Sequence, residues 1–103
     1  MRTLMRVQMD TEAASEAIRN GTMQMTLQSA LEQLNPEAAY FTAQDGMRTA
    51  FFIFDLREPA QIPAIAEPFF MPLKAKIDMS PVMNVDDVQA GLEELMKRQQ
   101  PGS

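Results

Sequence analysis

The sequence contains no cysteine, no histidine and no tryptophan. Without cysteine, the chain cannot form a disulfide, a thiolate nucleophile or a zinc–thiolate site. Without histidine, it lacks the commonest general base and the commonest metal ligand, which excludes a Ser-His-Asp triad and a histidine metal site within one chain. We therefore expect no metal site and no cofactor.

The charge balance is acidic, and long apolar runs are absent. Nine lysines and arginines against fourteen acidic residues give a net charge of -5. This charge repels phosphate groups, so we expect neither nucleic acid nor an anionic membrane as a partner. No apolar run approaches the roughly 20 residues of a membrane span. Arg2 and Arg6 interrupt the N-terminal segment, which therefore does not resemble a signal peptide and predicts a cytoplasmic protein.

The length of 103 residues fits one domain, which we place at residues 1–98. The last five residues, 99–103, read QQPGS and predict a frayed tail. Ten methionines are the other feature of the composition. Methionine fills irregular cores or lines adaptable binding surfaces, and core filling is the simpler interpretation here.

The first third of the chain predicts a strand and a broken helix. Residues 3–9 alternate apolar and polar side chains, which is typical of a half-buried strand. Asp10 can cap the following helix and Asn20-Gly21 can end it. A second helical pattern over residues 23–34 ends at Asn35-Pro36, because a residue before proline avoids helical geometry.

The clearest pattern is a β-hairpin over residues 38–56. Two apolar segments flank Asp45-Gly46, a strong signal for a two-residue turn. The turn fixes the cross-strand pairs: Thr42 with Thr49, Tyr40 with Phe51 and Ala38 with Ile53 on one face, and Phe41 with Ala50 and Ala39 with Phe52 on the other. The second face, with Phe54, is the predicted core.

The last third predicts a helix, a strand and a helix. Four of the seven prolines lie in residues 58–73, and we expect a short, kinked helix from about Gln61 to Phe70, closed by Pro72. Residues 74–80 alternate again as a strand. Asn84 and Asp87 form a variant of the capping box at the start of a helix that ends near residue 98.

Each predicted helix has an apolar stripe that we expect to be buried. The stripes comprise Ala14, Ala17 and Ile18; Met23, Leu27, Ala30, Leu31 and Leu34; Ile62, Ile65, Phe69 and Phe70; and Val85, Val88, Leu92, Leu95 and Met96.

This element order predicts a ferredoxin-like α+β sandwich: a four-stranded antiparallel sheet, helices on one face and an extra C-terminal helix. The opposite face, here called the open sheet face, is then left without helices. It consists of Leu4, Arg6, Gln8, Ala38, Tyr40, Thr42, Thr49, Phe51, Ile53, Lys76, Asp78 and Ser80. This mixed surface is too apolar to stay wholly solvated. Packing two such faces together predicts a homodimer with an enclosed, partly polar cavity.

Several residues of this face have two interpretations. Arg6 can form a cross-strand ion pair with Asp78 or anchor an anionic ligand. Tyr40 can be a general acid, a hydrogen-bond donor to a ligand, or an aromatic side chain with a solvated hydroxyl. Asp55 and Asp78 are the best carboxylates for a base, although no spacing pairs them.

Three segments resemble a family of small uncharacterised bacterial proteins: PEAAYFTAQDGMRTAFFIFDL, IPAIAEPFFMPLKAKI and MSPVMNVDDVQAGL. The resemblance covers roughly residues 3–96 and implies a ferredoxin-like fold of the dimeric α/β-barrel kind. Some relatives carry the name pantothenate synthetase, but the histidines of that enzyme's nucleotide-handling signature are absent here. Dimeric α/β barrels more widely include cofactor-free monooxygenases, isomerases, heme-handling proteins and small-ligand sensors.

The leading functional hypothesis is a homodimeric module that binds a small, partly apolar or anionic metabolite between the two sheets. The expected ligand-binding residues are Arg6, Gln8, Tyr40, Thr42, Phe51, Ile53, Lys76 and Asp78. One alternative is a cofactor-free enzyme with Asp78 or Asp55 as base and Tyr40 as acid. Another is a protein interaction domain whose open sheet face is filled by its partner.

Overall fold

The alternating and helical segments of the sequence form four strands and four α-helices in a computed structural model that describes residues 1–99. The strands are β1 (Arg2–Gln8), β2 (Ala38–Gln44), β3 (Met47–Asp55) and β4 (Lys76–Pro81). The helices are α1 (Thr11–Asn20), α2 (Thr22–Leu34), α3 (Ile62–Leu73) and α4 (Val85–Gln99), and a 3₁₀ turn (Pro59–Gln61) precedes α3. Gln99, placed in the predicted tail, is the last residue of α4, and the rest of that tail lies outside the described residues.

The four strands form one antiparallel sheet in the order β2-β3-β1-β4. All five predicted cross-strand pairs of the β2–β3 hairpin are present. Strand β1 lies centrally, between β3 and β4. This strand order and the element order confirm the ferredoxin-like α+β fold.

Local turn chemistry sets the ends of the elements. Asp45 and Gly46 have φ angles of 55° and 74°, the left-handed pair that a tight hairpin turn requires. Gly21, with a φ of 84°, separates α1 from α2 where the sequence predicts a stop. The Asp10 carboxylate accepts a hydrogen bond of 3.0 Å from the backbone amide of Ala13, which confirms the predicted cap.

The core lies between the sheet and helices α1–α3. Met5, Val7, Phe52, Phe69 and Leu73 are the largest fully buried side chains. The ring of Phe52 is 5.9 Å from that of Phe41 and 6.0 Å from that of Phe69, so it links strand β2 to helix α3. On β4, Ile77 and Met79 pack against this core as predicted.

Four residues of the predicted stripes on these three helices are exposed, and for them the prediction is wrong. These are Ile18 (51%), Leu31 (38%), Ile62 (38%) and Phe70 (40%). Each lies at the margin of its helix's apolar face, whereas residues at the centre of those faces, such as Ala14 and Phe69, are buried. A helix on a small sheet buries only a narrow stripe, so the periodic pattern overestimates the width of the buried face.

Helix α3 also continues past its predicted end. It reaches Leu73 with Pro68 and Pro72 inside it, so Pro72 does not close the helix. Both prolines are exposed, where solvent can satisfy the carbonyl groups that lose their partners. Ile65, Phe69 and Leu73 follow at intervals of four residues and bury one face, which holds the helix on the sheet.

The largest difference from expectation is α4. Its capping box forms, with reciprocal hydrogen bonds of 2.8 and 3.1 Å between Asn84 and Asp87. However, no residue of α4 is buried, so the prediction of a buried stripe is wrong for the single chain. Met83, just before the cap, is also 69% exposed. The described part of the protein measures 65 × 28 × 18 Å, an elongated shape that fits an arm extending from the sheet layer.

Within residues 1–99, no helix combines the length and the hydrophobicity that crossing a membrane demands.

Candidate functional site: the open sheet face

Strand register arranges the open sheet face in three rows that run across all four strands. The rows are Ala38–Ile53–Leu4–Ser80, Tyr40–Phe51–Arg6–Asp78 and Thr42–Thr49–Gln8–Lys76. Side chains paired across antiparallel strands share one face of the sheet. All eight sequence-predicted ligand-binding residues therefore lie on one surface. That surface is opposite the face of the sheet that helices α1–α3 cover.

The three rows differ in chemistry. Leu4 and Ile53 are half-buried and make the first row apolar. The middle row passes from the exposed Tyr40 through the half-buried Phe51 and Arg6 to the exposed Asp78. The third row is polar throughout. A ligand on this face would therefore meet an apolar side, a charged centre and a polar side.

Arg6 is held by polar groups from three positions on the sheet. Its Nε donates a hydrogen bond of 2.8 Å to Oε1 of Gln44. One guanidinium nitrogen lies 3.4 Å from Asp78, and another lies 3.8 Å from Asp45. The predicted cross-strand ion pair between Arg6 and Asp78 is thus present. Such pairs at a surface typically contribute only about 0–1 kcal/mol, so their main effect is to orient the guanidinium.

Lys76 and Tyr40 carry the polar groups that this protomer leaves available. Lys76 is exposed, and within residues 1–99 it has no ion-pair or hydrogen-bond partner. The side chain of Tyr40 is 66% exposed, and within the same residues its hydroxyl has no hydrogen-bond partner. An ammonium group and a phenol that are free to bind are the donors that an anionic or polar ligand needs.

Gln8, Thr42 and Thr49 are more constrained. Gln8 is only 6% exposed, and its amide donates a hydrogen bond of 3.1 Å to the backbone carbonyl of Gln44. Thr49 is 2% exposed and its hydroxyl donates to the carbonyl of Met47. Thr42 is exposed and lines a groove of about 210 Å³ together with Phe41. Of this row, Thr42 and Lys76 can reach a ligand directly.

The candidate catalytic residues do not converge within one protomer. Tyr40 and Asp78 lie at opposite ends of the middle row, three strand spacings or roughly 14 Å apart. Asp55 lies at the end of β3, opposite Arg2, beyond the apolar row. The hydrogen bond from the amino group of Met1 lowers the pKa of Asp55, and the charge of Arg57 contributes in the same direction. A lowered pKa makes Asp55 a weaker base.

Sequence reasoning missed two polar groups next to this surface. Gln44, at the end of β2, and Asp45, in the hairpin turn, both contact Arg6. Continuing the strand alternation beyond Thr42 would have placed Gln44 on this face. At the opposite end, Arg2 bonds to Glu37 and lies 3.3 Å from Asp87. The hydrogen bond to Glu37 is the main cause that raises the pKa of Arg2. The contact between Arg2 and Asp87 connects the start of α4 to β1.

Two larger grooves of the protomer lie outside the three rows of the open sheet face, the second of them at its Arg2–Asp55 end. One of about 590 Å³ runs along α1 near Lys74, and one of about 450 Å³ surrounds Arg2 and Asp87. Among residues 1–99, no cluster of three or more acidic side chains is arranged to hold a metal ion. A cavity on the open sheet face thus requires a second surface to close it.

Comparison with known proteins identifies no relative of this chain. No protein-family model matches it, and the search of the curated proteins gives no match. The resemblance to small bacterial proteins therefore stays a prediction, and the proposed function depends on the geometry of the open sheet face.

Proposed function

We propose that the protein is a homodimeric binding module that holds a small, partly apolar, anionic metabolite between two open sheet faces. The observation that carries this proposal is the pair of unengaged donors on the two edge strands of the face, Tyr40 on β2 and Lys76 on β4. Between them lie the half-buried Phe51 and Arg6. The proposed dimer is of the dimeric α/β-barrel kind. A cytoplasmic location also stays a prediction.

Charge supports a second copy of the chain as the surface that covers this face. The whole chain carries a net charge of -5, so two copies repel each other over most of their surfaces. The open sheet face instead is close to neutral, because its two cations, Arg6 and Lys76, are balanced by the carboxylates of Asp78 and the adjacent Asp45. A two-fold interface must be complementary to itself, and a face with both signs and an apolar row meets that condition.

The geometry supports binding more than catalysis by one protomer. The cofactor-free enzyme needs an acid and a base at one place, whereas Tyr40 and Asp78 are separated by the width of the sheet. A filled interface with another protein would leave no room for a ligand. The filled interface is distinguished from the binding module by the ligand experiment below.

The dimer interface is tested by light scattering after size-exclusion chromatography. Phe51→Lys places a third cation at the centre of the face, and we expect it to raise the dissociation constant of the dimer at least tenfold while the chain stays folded. Met71→Lys is the matched control, because Met71 is 76% exposed on α3, away from the face. A Phe51→Lys protein that dissociates at the same concentration as the wild type, with wild-type circular dichroism, would reject the open sheet face as an interface.

The ligand site is tested with Lys76→Met, which keeps the length of the side chain and removes its charge. We expect this variant to remain a dimer and to lose at least tenfold in affinity for the molecule that co-purifies with the wild type. Lys74→Met is the control lysine, because Lys74 is exposed beside α1, away from the open sheet face. Unchanged occupancy in Lys76→Met would reject Lys76 as the anion anchor. A dimer with no bound molecule in any variant would favour the filled interface.

A further inference from the structure

The amphipathic helix α4 has an apolar stripe that no other part of residues 1–99 buries. Val85, Val88, Leu92 and Leu95 follow one another at intervals of three, four and three residues, the spacing of a coiled-coil seam. Their exposed fractions are 72%, 39%, 55% and 49%. A helix this short is marginal in water without a packed apolar face, so this stripe is the expected site of a contact.

The centre of α4 contains a glycine that the protomer does not explain. Gly91 lies inside the helix, where glycine is less favourable than alanine. Within residues 1–99, a Cβ atom at Gly91 would meet nothing within 4 Å, so no crowding among them requires glycine there. Gly91 is three residues after Val88 and four before Leu95, which places it on the apolar side. A missing side chain at this point lets a second helix approach closely.

The charges of α4 differ between its two ends. Asp86 and Asp87 lie in its first turn, and Lys97 and Arg98 lie in its last turn. These positions suit the helix dipole within one chain. They also make the helix complementary to an antiparallel copy of itself, since each acidic end then faces a basic end. A parallel arrangement would instead bring like charges together.

We infer that α4 pairs antiparallel with α4 of a second copy of this chain, and that the two helices cross at Gly91 and Leu92. Residue 92 is the midpoint of Val85–Gln99, so a symmetric antiparallel pair centred on the helix brings the two Leu92 side chains together. This inference goes beyond the proposed ligand-binding dimer and does not depend on the open sheet face. The observations on α4 alone carry it.

Disulfide trapping tests this pairing, because the wild-type chain contains no cysteine. We expect Leu92→Cys to form a covalent dimer under mild oxidation, visible on a non-reducing gel and reversed by a reductant. Ala90→Cys is the matched control, since residue 90 lies about 160° around the helix from residue 92. We expect its crosslinking to be at least tenfold slower.

Val85→Cys determines the direction of pairing. In the antiparallel pair, the two residues at position 85 are about 21 Å apart along the axis, too far for a disulfide. In a parallel pair they would be adjacent and would crosslink as well as Leu92→Cys. Crosslinking through Val85→Cys would therefore overturn the antiparallel arrangement. Equal trapping of Leu92→Cys and Ala90→Cys, or a wild-type dimer whose Leu92→Cys form does not crosslink, would overturn the pairing itself.

Discussion

At the scale of single residues, the adjacent phenylalanines of α3 show how burial separates identical side chains. Phe69 is fully buried against Phe52, whereas Phe70 is 40% exposed. The sequence predicted that both would press onto the sheet. Neighbouring positions on a helix are 100° apart, so when Phe69 faces the core Phe70 points away from it.

We predict that Phe69→Ala lowers the free energy of unfolding by about 3–5 kcal/mol, because it removes buried apolar surface and leaves a cavity. Phe70→Ala should cost much less, since its ring already contacts solvent. Urea denaturation followed by circular dichroism measures both. Equal losses for the two variants would contradict the assigned packing of α3.

Sequence reasoning placed the open sheet face residues correctly because strand alternation and one turn determine them. It could not tell which of them were engaged. Arg6 and Lys76 are both cations on that face, yet Arg6 has an amide and two carboxylates around it while Lys76 has no partner within residues 1–99. That difference depends on the side-chain contacts of Gln44, at the end of β2, and Asp45, in the hairpin turn. Strand alternation gives the face of a side chain but not its hydrogen-bond partners.

At the scale of elements, local signals predicted the ends of most helices and strands. Asp10, Gly21, Asn35 and the Asp45–Gly46 turn act through hydrogen bonds and φ angles within a few residues of themselves. The end of α3 was mispredicted because tertiary packing of Leu73 outweighs the local preference against Pro72. An apolar stripe indicates which face of a helix favours burial, but it does not indicate what covers that face. In α4 the stripe is present and no residue of the helix is buried.

We predict that Asp10→Ala costs about 1 kcal/mol of stability, because the amide of Ala13 then loses its side-chain acceptor at the start of α1. Asp10→Ser keeps an acceptor at the same position and should recover most of the loss. The midpoint of urea denaturation distinguishes the two variants. If alanine and serine behave alike, the cap does not stabilise α1.

At the scale of the whole molecule, one chain leaves two apolar surfaces uncovered. The open sheet face combines half-buried apolar residues with Lys76 and Tyr40, and α4 extends with no buried residue. A chain of this size buries about two-thirds of its unfolded surface, so its core is modest. Contacts between copies would bury more apolar surface and add to its stability. The proposed association of identical chains would cover both surfaces.

Native mass spectrometry of the purified wild-type protein tests the central claim most directly, because it reports the number of chains and any bound small molecule in one spectrum. We predict a dimer that carries an additional small mass, released when the dimer is dissociated. A bare monomer at micromolar concentration would contradict both the enclosed cavity and the association of two open sheet faces.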